Sequence, residues 1–132
     1  MKVLLDTNIC IYLIKQRPPS VIHRFASYRV GDIGISAITL AELEYGISKS
    51  NQTKRNREAL EQFLSPLEVV PFGREAAAAY GRIRANLEKK GRPIGPMDLL
   101  IAAHALSLGT RLATNNVREF KRVSGLRVEN WA

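Results

Sequence analysis

Apolar positions along the chain follow two rhythms. Short continuous apolar runs are closed by polar residues, and between them lie longer stretches in which apolar residues recur every three or four positions. The first rhythm suits a strand buried on both faces, the second an amphipathic helix. Residues 2–6 read as a buried strand closed by an acid, and residues 7–15 as a short helix. Arg17-Pro18-Pro19-Ser20 breaks that helix, and Ser20 or a neighbour restarts one that runs to about Tyr28. Residues 32–36 predict a second strand. Ser36 then caps a helix over 37–48, with Ile38, Leu40, Leu43 and Ile47 among its apolar positions. After a polar break at 50–53, residues 54–64 predict a helix that Pro66 ends, and residues 67–71 another short strand.

Residues 74–90 predict a long helix rich in alanine and charge. Gly91-Arg92-Pro93-Ile94-Gly95-Pro96 is a stop and a restart, with Pro96 suited to the first turn of a helix that continues to Leu108. Gly109 ends it, and residues 111–114 predict a strand. A loop, a short element at 119–123 and a terminal strand near 127–129 complete the chain. Strands alternating with helices predict an α/β fold around a mostly parallel sheet. The 132 residues suit a single domain spanning 1–132. In such sheets ligands gather outside the carboxyl ends of the strands, which directs attention to the residues that close each strand.

Composition narrows the picture. Hydrophobic residues make up 45% of the chain, enough for a real core, yet no apolar run approaches the roughly 20 residues of a membrane-spanning helix. The apolar stretch at the N-terminus is interrupted at Asp6, too early for a signal peptide, so a cytoplasmic location is expected. Cys10 is the only cysteine, which excludes an internal disulfide and a cysteine-rich zinc site; its apolar neighbours predict a buried thiol. Twenty Lys and Arg against twelve Asp and Glu give a net charge of +8, which favours a polyanionic partner, either nucleic acid or an acidic protein.

The acids are few, and four fall at telling places. Asp6 closes the first strand, Asp98 enters the first turn of the helix opened by Pro96, and Glu42 lies in the apolar stretch Leu40-Ala41-Glu42-Leu43. Glu119, with Asn116, follows the strand at 111–114. Side chains so placed can converge on one rim, and carboxylates that converge need a cation to coexist. Oxygen ligands suit a hard ion such as Mg²⁺ or Mn²⁺. Each acid also has a plainer reading. Asp6 can cap the first helix, Asp98 can complement a helix dipole, Glu42 can face solvent, and Glu119 can pair with Arg118, Lys121 or Arg122.

Four segments together resemble a known family. Leu4-Leu5-Asp6-Thr7-Asn8, Ile38-Thr39-Leu40-Ala41-Glu42-Leu43, Pro93-Ile94-Gly95-Pro96-Met97-Asp98 with Leu99 through Ala105, and Leu112-Ala113-Thr114-Asn115-Asn116 with Glu119-Phe120 occur in the order seen in PIN domains. The chain resembles the VapC group of toxins from residue 2 to about Trp131. That resemblance implies a three-layer α/β/α PIN-like fold and a homodimeric endoribonuclease that uses Mg²⁺ or Mn²⁺. It implies a VapB-type antitoxin as partner, with operator DNA reached only through the toxin–antitoxin complex. By motif position Asp6, Glu42 and Asp98 form the acidic, metal-binding core. Glu119 joins them as a catalytic candidate, although Thr114-Asn115-Asn116-Val117-Arg118-Glu119-Phe120 is one residue longer than the commoner pattern and leaves Asn116 and Glu119 both open for the fourth place. Thr114-Asn115-Asn116 and Gly95-Pro96-Met97-Asp98 resemble the enterobacterial branch, whose toxins cut initiator tRNA in the anticodon stem-loop.

Expected roles follow. Asp6 and Asp98 would hold the ion most directly, Glu42 would complete the site, and Thr7, Asn8 and Thr114 would hold the carboxylates in place. Basic clusters at 49–57, 82–92 and 118–122 offer a track for an RNA backbone. His104 reads as a packed or capping residue, and Tyr12, Tyr28, Tyr45 and Tyr80 as core or interface. Apolar residues at 38–47 and 60–64 exceed what one small sheet covers and offer a dimer surface. The competing readings are a non-catalytic basic nucleic-acid-binding module and a PIN-type nuclease acting on another nucleic acid.

Overall fold

The computed structural model describes residues 1–131. Its sheet has five strands, all parallel: β1 (Val3–Leu5), β2 (Ile33–Ser36), β3 (Glu68–Val70), β4 (Arg111–Thr114) and β5 (Val128–Asn130), in the order β3-β2-β1-β4-β5. β1 lies at the centre, with Val3, Leu4 and Leu5 wholly buried, which is why it is a continuous apolar run rather than an alternating one. Each strand but the last is followed by a helix: α1 (Thr7–Lys15) and α2 (Pro19–Ala26), α3 (Ala37–Ser48) and α4 (Thr53–Leu64), α5 (Arg74–Lys89) and α6 (Pro96–Leu108), and α7 (Val117–Phe120).

The period of two along β1 sorts its side chains into two cores. Val3 and Leu5 face one side, where Ile9, Cys10, Leu13, Val21, Leu43, Ile47 and Leu60 bring in α1 to α4. Leu4 faces the other, where Ala79, Ile83, Leu87, Leu99, Ala102 and Phe120 bring in α5 to α7. The result is three layers, α/β/α, on a fully parallel sheet. Burying Leu4 alone is worth about 1.5–3 kcal/mol, so polar substitution at a β1 position disrupts the layer that its side chain faces.

Helix termini follow local chemistry. Asp6 caps α1, accepting from the Ile9 N–H at 2.9 Å, and Ser36 caps α3, accepting from the Ile38 N–H at 3.0 Å. Pro19 and Pro96 occupy first-turn positions of α2 and α6, and Gly109 closes α6 in the left-handed region at φ 68°. α6 is apolar all round because α5, α3 and the sheet side enclose it.

Three expectations shift. The short element expected at 119–123 is α7 at Val117–Phe120, because Asn116 begins the turn and its carbonyl receives the Phe120 N–H. The terminal strand runs one residue later than expected, its register set by Leu112 opposite Val128. The apolar residues at 38–47 and 60–64 are taken up by this chain: Leu43, Ile47 and Leu60 are buried, and Leu40, Phe63 and Leu64 pack partly against the same core. Among the large apolar residues of that region only Tyr45 stands well out, 66% exposed with Lys49 over its ring. The partly exposed Leu40, Phe63 and Leu64 leave a smaller apolar surface there than the sequence count suggests. Cys10 is buried, as expected. Among the described residues, no helix is long and apolar enough to cross a membrane.

Candidate active site

The carboxyl ends of β1, β2 and β4 lie side by side at the centre of the sheet, and the residues that follow them share one rim. Asp6 is the residue after β1. Its side chain is 3% exposed and fully engaged: one oxygen accepts from the Ile9 N–H, and the other accepts a short hydrogen bond from the Thr114 hydroxyl at the end of β4. Parallel pairing of β1 with β4 makes that contact possible across a sequence separation of 108 residues.

Glu42 reaches the same rim from α3. The Thr7 hydroxyl donates to Glu42 Oε1 at 2.5 Å and lies 3.3 Å from the Thr39 hydroxyl. Thr39 is wholly buried and three residues before Glu42, so both face the start of α1. Beneath this, the buried His104 fixes the N-terminus of α3. Its Nδ1 lies 2.7 Å from Ser36 Oγ, Phe72 meets its ring edge-on, and the Pro71 carbonyl accepts its other N–H. Burial lowers the His104 pKa, so the ring is a neutral packing group.

Asp98 enters from the first turn of α6, and Glu119 from α7 meets it there. Glu119 Oε1 accepts from the Gly95 N–H at 2.8 Å, and its Oε2 accepts from Asn116 Nδ2 at 2.5 Å. A Cβ placed on Gly95 would stand 3.7 Å from both Asp98 Oδ2 and Glu119 Oε1, so the two carboxylates flank that glycine. Asn116 therefore serves as a clamp on Glu119, and its own N–H is given to the Thr114 hydroxyl.

Electrostatics tie the four acids into one group. Burial pushes Asp6 up to about 6, and the charge of Glu42 adds to that, against the lowering effect of the Thr114, Ile9 and Asn8 hydrogen bonds. Burial also pushes Asp98 up to about 6, reinforced by the charges of Glu119, Asp6 and Glu42 and by a hydrogen bond with Glu119. A hydrogen bond between two carboxyl groups requires a proton between them. The rim holds more negative potential than it can sustain unaided.

The donor set fits a divalent cation. Every candidate ligand is a carboxylate oxygen, the chemistry that suits a hard ion, and a cation would relieve the mutual repulsion that adds to burial in raising the pKa values of Asp6 and Asp98. Among the described residues, no three His, Cys, Asp or Glu side chains already form a closed ligand set. The carboxylates are within electrostatic reach of one another and stop short of a preformed cage. Asp6, Glu42, Asp98 and Glu119 thus all come to one rim, as expected. Two roles escape sequence reasoning, that of Thr39 and the clamp function of Asn116. The three-residue spacing to Glu42 could have flagged the first, and the second lies in a turn with no periodic signal.

Comparison with known proteins places the whole chain beside one family. The PIN domain family model matches residues 3–126. The chain is 48% identical over 132 residues to the tRNA(fMet)-specific endonuclease VapC of Shigella flexneri, covering 100% of this chain and 99% of that one. Its fold is similar to that in the crystal structure of DNA-bound VapBC from Salmonella typhimurium, with TM-score 0.94 and 46% identity over 100% of this chain and 99% of that chain. It is also similar to VapBC2 from Rickettsia felis bound to a DNA fragment from its promoter, with TM-score 0.93, 44% identity and 100% of both chains covered.

Proposed function

Since the chain belongs to the PIN domain family, we propose that it is the toxin of a type II toxin–antitoxin pair, an endoribonuclease that cuts initiator tRNA in the anticodon stem-loop and so blocks translation. The observation that carries the reading is the convergence of Asp6, Glu42, Asp98 and Glu119 on one rim of the parallel sheet, with two of them held near pKa 6. Residues 1–132 act as one PIN domain, since both cores share the same sheet. The cytoplasm, where tRNA is found, is the proposed location. A homodimer is proposed from the family resemblance.

Asp6, Asp98 and Glu42 would hold Mg²⁺, or Mn²⁺ in its place. When bound, the ion would supply positive charge to the scissile phosphate and lower the pKa of the attacking water. The chain's own residues do the rest. The Ile9 N–H and the Thr114 hydroxyl fix Asp6 in one rotamer, so its carboxylate needs no reorganisation when the phosphate arrives. Thr7 aims Glu42 across the rim, where it can orient a water or take up its proton. Glu119, clamped by Gly95 and Asn116, shares a hydrogen bond with Asp98 that helps raise the Asp98 pKa, and ion binding would displace the Asp98 proton.

A VapB-type antitoxin is the proposed partner, and operator DNA would be met through that complex, as the DNA-bound VapBC structures of the similar proteins support. Expressing the chain in a bacterial host and mapping RNA ends tests the reading. Growth arrest with one new end in the initiator tRNA anticodon stem-loop, suppressed by the antitoxin encoded beside it, is expected. Growth arrest with intact initiator tRNA would point to another RNA, and unaffected growth with intact RNA to a non-catalytic module.

A further inference from the structure

Beside the acidic rim lies a groove that the four carboxylates do not use. Tyr80, Arg84, Leu87 and Glu88 of α5 form one wall, and Pro93, Ile94, Pro96 and Leu99 form the rest. Its volume is about 240 Å³. A groove of that size accepts one side chain or one base. Ile94 and Pro96 flank Gly95, whose N–H holds Glu119, and Pro96 opens the turn that carries Asp98. The groove and the acids therefore share a wall.

The chemistry of the wall is that of a stacking site. Tyr80 offers an aromatic face and Arg84 a planar guanidinium, joined by a hydrogen bond from Arg84 Nη1 to the Tyr80 hydroxyl at 2.8 Å. The Arg84 carbon lies 6.0 Å from the Tyr80 ring centre, and Glu88 steadies the guanidinium through its Nε at 3.0 Å. Apolar floor, two planar groups and a few polar edges suit a nucleobase. Arg84 and Glu88 are the charged residues of the lining, and the exposed cations Lys89, Lys90 and Arg92 follow Glu88 along the chain. Those cations, on a chain of net charge +8, favour phosphates on either side of an inserted base over a cationic protein segment.

We propose that this groove receives one unstacked nucleobase of the RNA, next to the phosphate that is cut, with Tyr80 and Arg84 as its stacking planes. The inference rests on the ribonuclease reading and gives it a specificity determinant. A phosphate reaches the carboxylates only when the chain is opened out, and a base held beside Asp98 fixes which phosphate that is. Every base has a stacking face, so Tyr80 and Arg84 set the register of the RNA, and the polar edges of the groove discriminate among bases.

The test measures binding of anticodon stem-loop RNA to the full chain carrying Asp98→Asn, in Mg²⁺. A set of RNAs, each lacking one base but keeping its sugar and phosphate, is compared with the intact RNA. Removing one base beside the cut, and separately Tyr80→Ala, are each expected to weaken binding about tenfold. Combined, they are expected to cost no more than either alone, because both remove the same contact. Arg84→Ala, at an exposed position that leaves the core untouched, is expected to show the same non-additivity, and Tyr80→Phe, which keeps the ring, is expected to bind within about twofold of the parent. Additive losses, or Tyr80→Ala and Arg84→Ala binding RNA like the parent while losing antitoxin affinity, would overturn the proposal and assign the groove to a protein side chain. Cleavage by the wild-type chain, followed in parallel, separates the two claims: an active enzyme with additive losses loses only the base site, and an inactive one loses both.

Discussion

Asp6→Asn is expected to lower RNA cleavage by about a thousandfold or more and, at the same time, to raise the stability of the metal-free protein. The loss of activity follows from position. Asp6 is the most buried of the four acids and the only one anchored by both β4 and α1, so among the proposed ligands it is the one that the fold holds most rigidly. Removing its charge forfeits several kcal/mol of electrostatic stabilisation where the phosphate reacts. The gain in stability follows from its pKa, pushed up to about 6 mainly by burial. An acid whose folded pKa exceeds its unfolded value costs stability wherever the folded form is forced to ionise. That cost is complete above pH 6 and shrinks as pH falls toward about 4. Asparagine keeps the capping oxygen and carries no charge. In EDTA at pH 7.5 the variant should gain about 1–2 kcal/mol, a rise in Tm of a few degrees, with the gap closing at acidic pH. Thermal melts at both pH values, with and without Mg²⁺, check this: Mg²⁺ should raise the Tm of the wild type and leave the variant unmoved. A variant less stable than wild type at pH 7.5 in EDTA would mean that Asp6 is a structural cap first.

The second large effect lies on stability alone. Glu129 on β5 is a hub that ties α2 and the end of the chain to the sheet. Its Oε1 accepts from Arg24 at 2.5 Å, Tyr28 at 2.9 Å and the Trp131 indole at 2.7 Å, and its Oε2 accepts from Arg111 at 3.1 Å. The Tyr28 ring stacks on Trp131 with centres 5.6 Å apart. Burial alone would raise the Glu129 pKa, and the bonds from Trp131, Arg24 and Tyr28 outweigh it, so the net shift is downward. Its contribution to stability is therefore present above the ordinary carboxylate range and lost as pH falls through the folded value. Glu129→Ala removes every one of these bonds and leaves the indole N–H and two guanidinium groups without their acceptor. The cost is about 2–4 kcal/mol, held to that range because Arg24 and Arg111 are partly exposed. A fall in Tm of roughly 10 °C is expected, with the RNA-cleaving rim intact in the folded fraction. A change under 1 °C would show that the indole stack alone holds α2.

These two residues also mark how far the sequence could be read. Asp6 was visible as a candidate because a carboxylate at the end of an apolar run is rare, and the rule for parallel sheets places such residues at a ligand site. Glu129 was not, since its partners lie 105, 101 and 18 residues away and are brought in only by parallel pairing of β4 with β5. Elements with strong local grammar matched closely: Pro96 and Gly109 bound α6, and Ser36 starts α3. Elements governed by register or by turns shifted, as α7 and β5 did. The extra residue between Thr114 and Glu119 is absorbed by the Asn116 turn, which leaves Glu119 facing Asp98. Apolar count overstated the free surface of α3 and α4, because Leu43, Ile47 and Leu60 fill this chain's own core.

The most direct single measurement is cleavage of purified initiator tRNA by the purified chain, with Mg²⁺ or Mn²⁺ and with EDTA, run beside Asp98→Asn. One cut in the anticodon stem-loop, abolished by EDTA and by the substitution, is the predicted result. Tight tRNA binding with no cleavage in any divalent ion, or cleavage that persists in both EDTA and Asp98→Asn, would contradict the assignment of the carboxylate rim as a metal-dependent ribonuclease site.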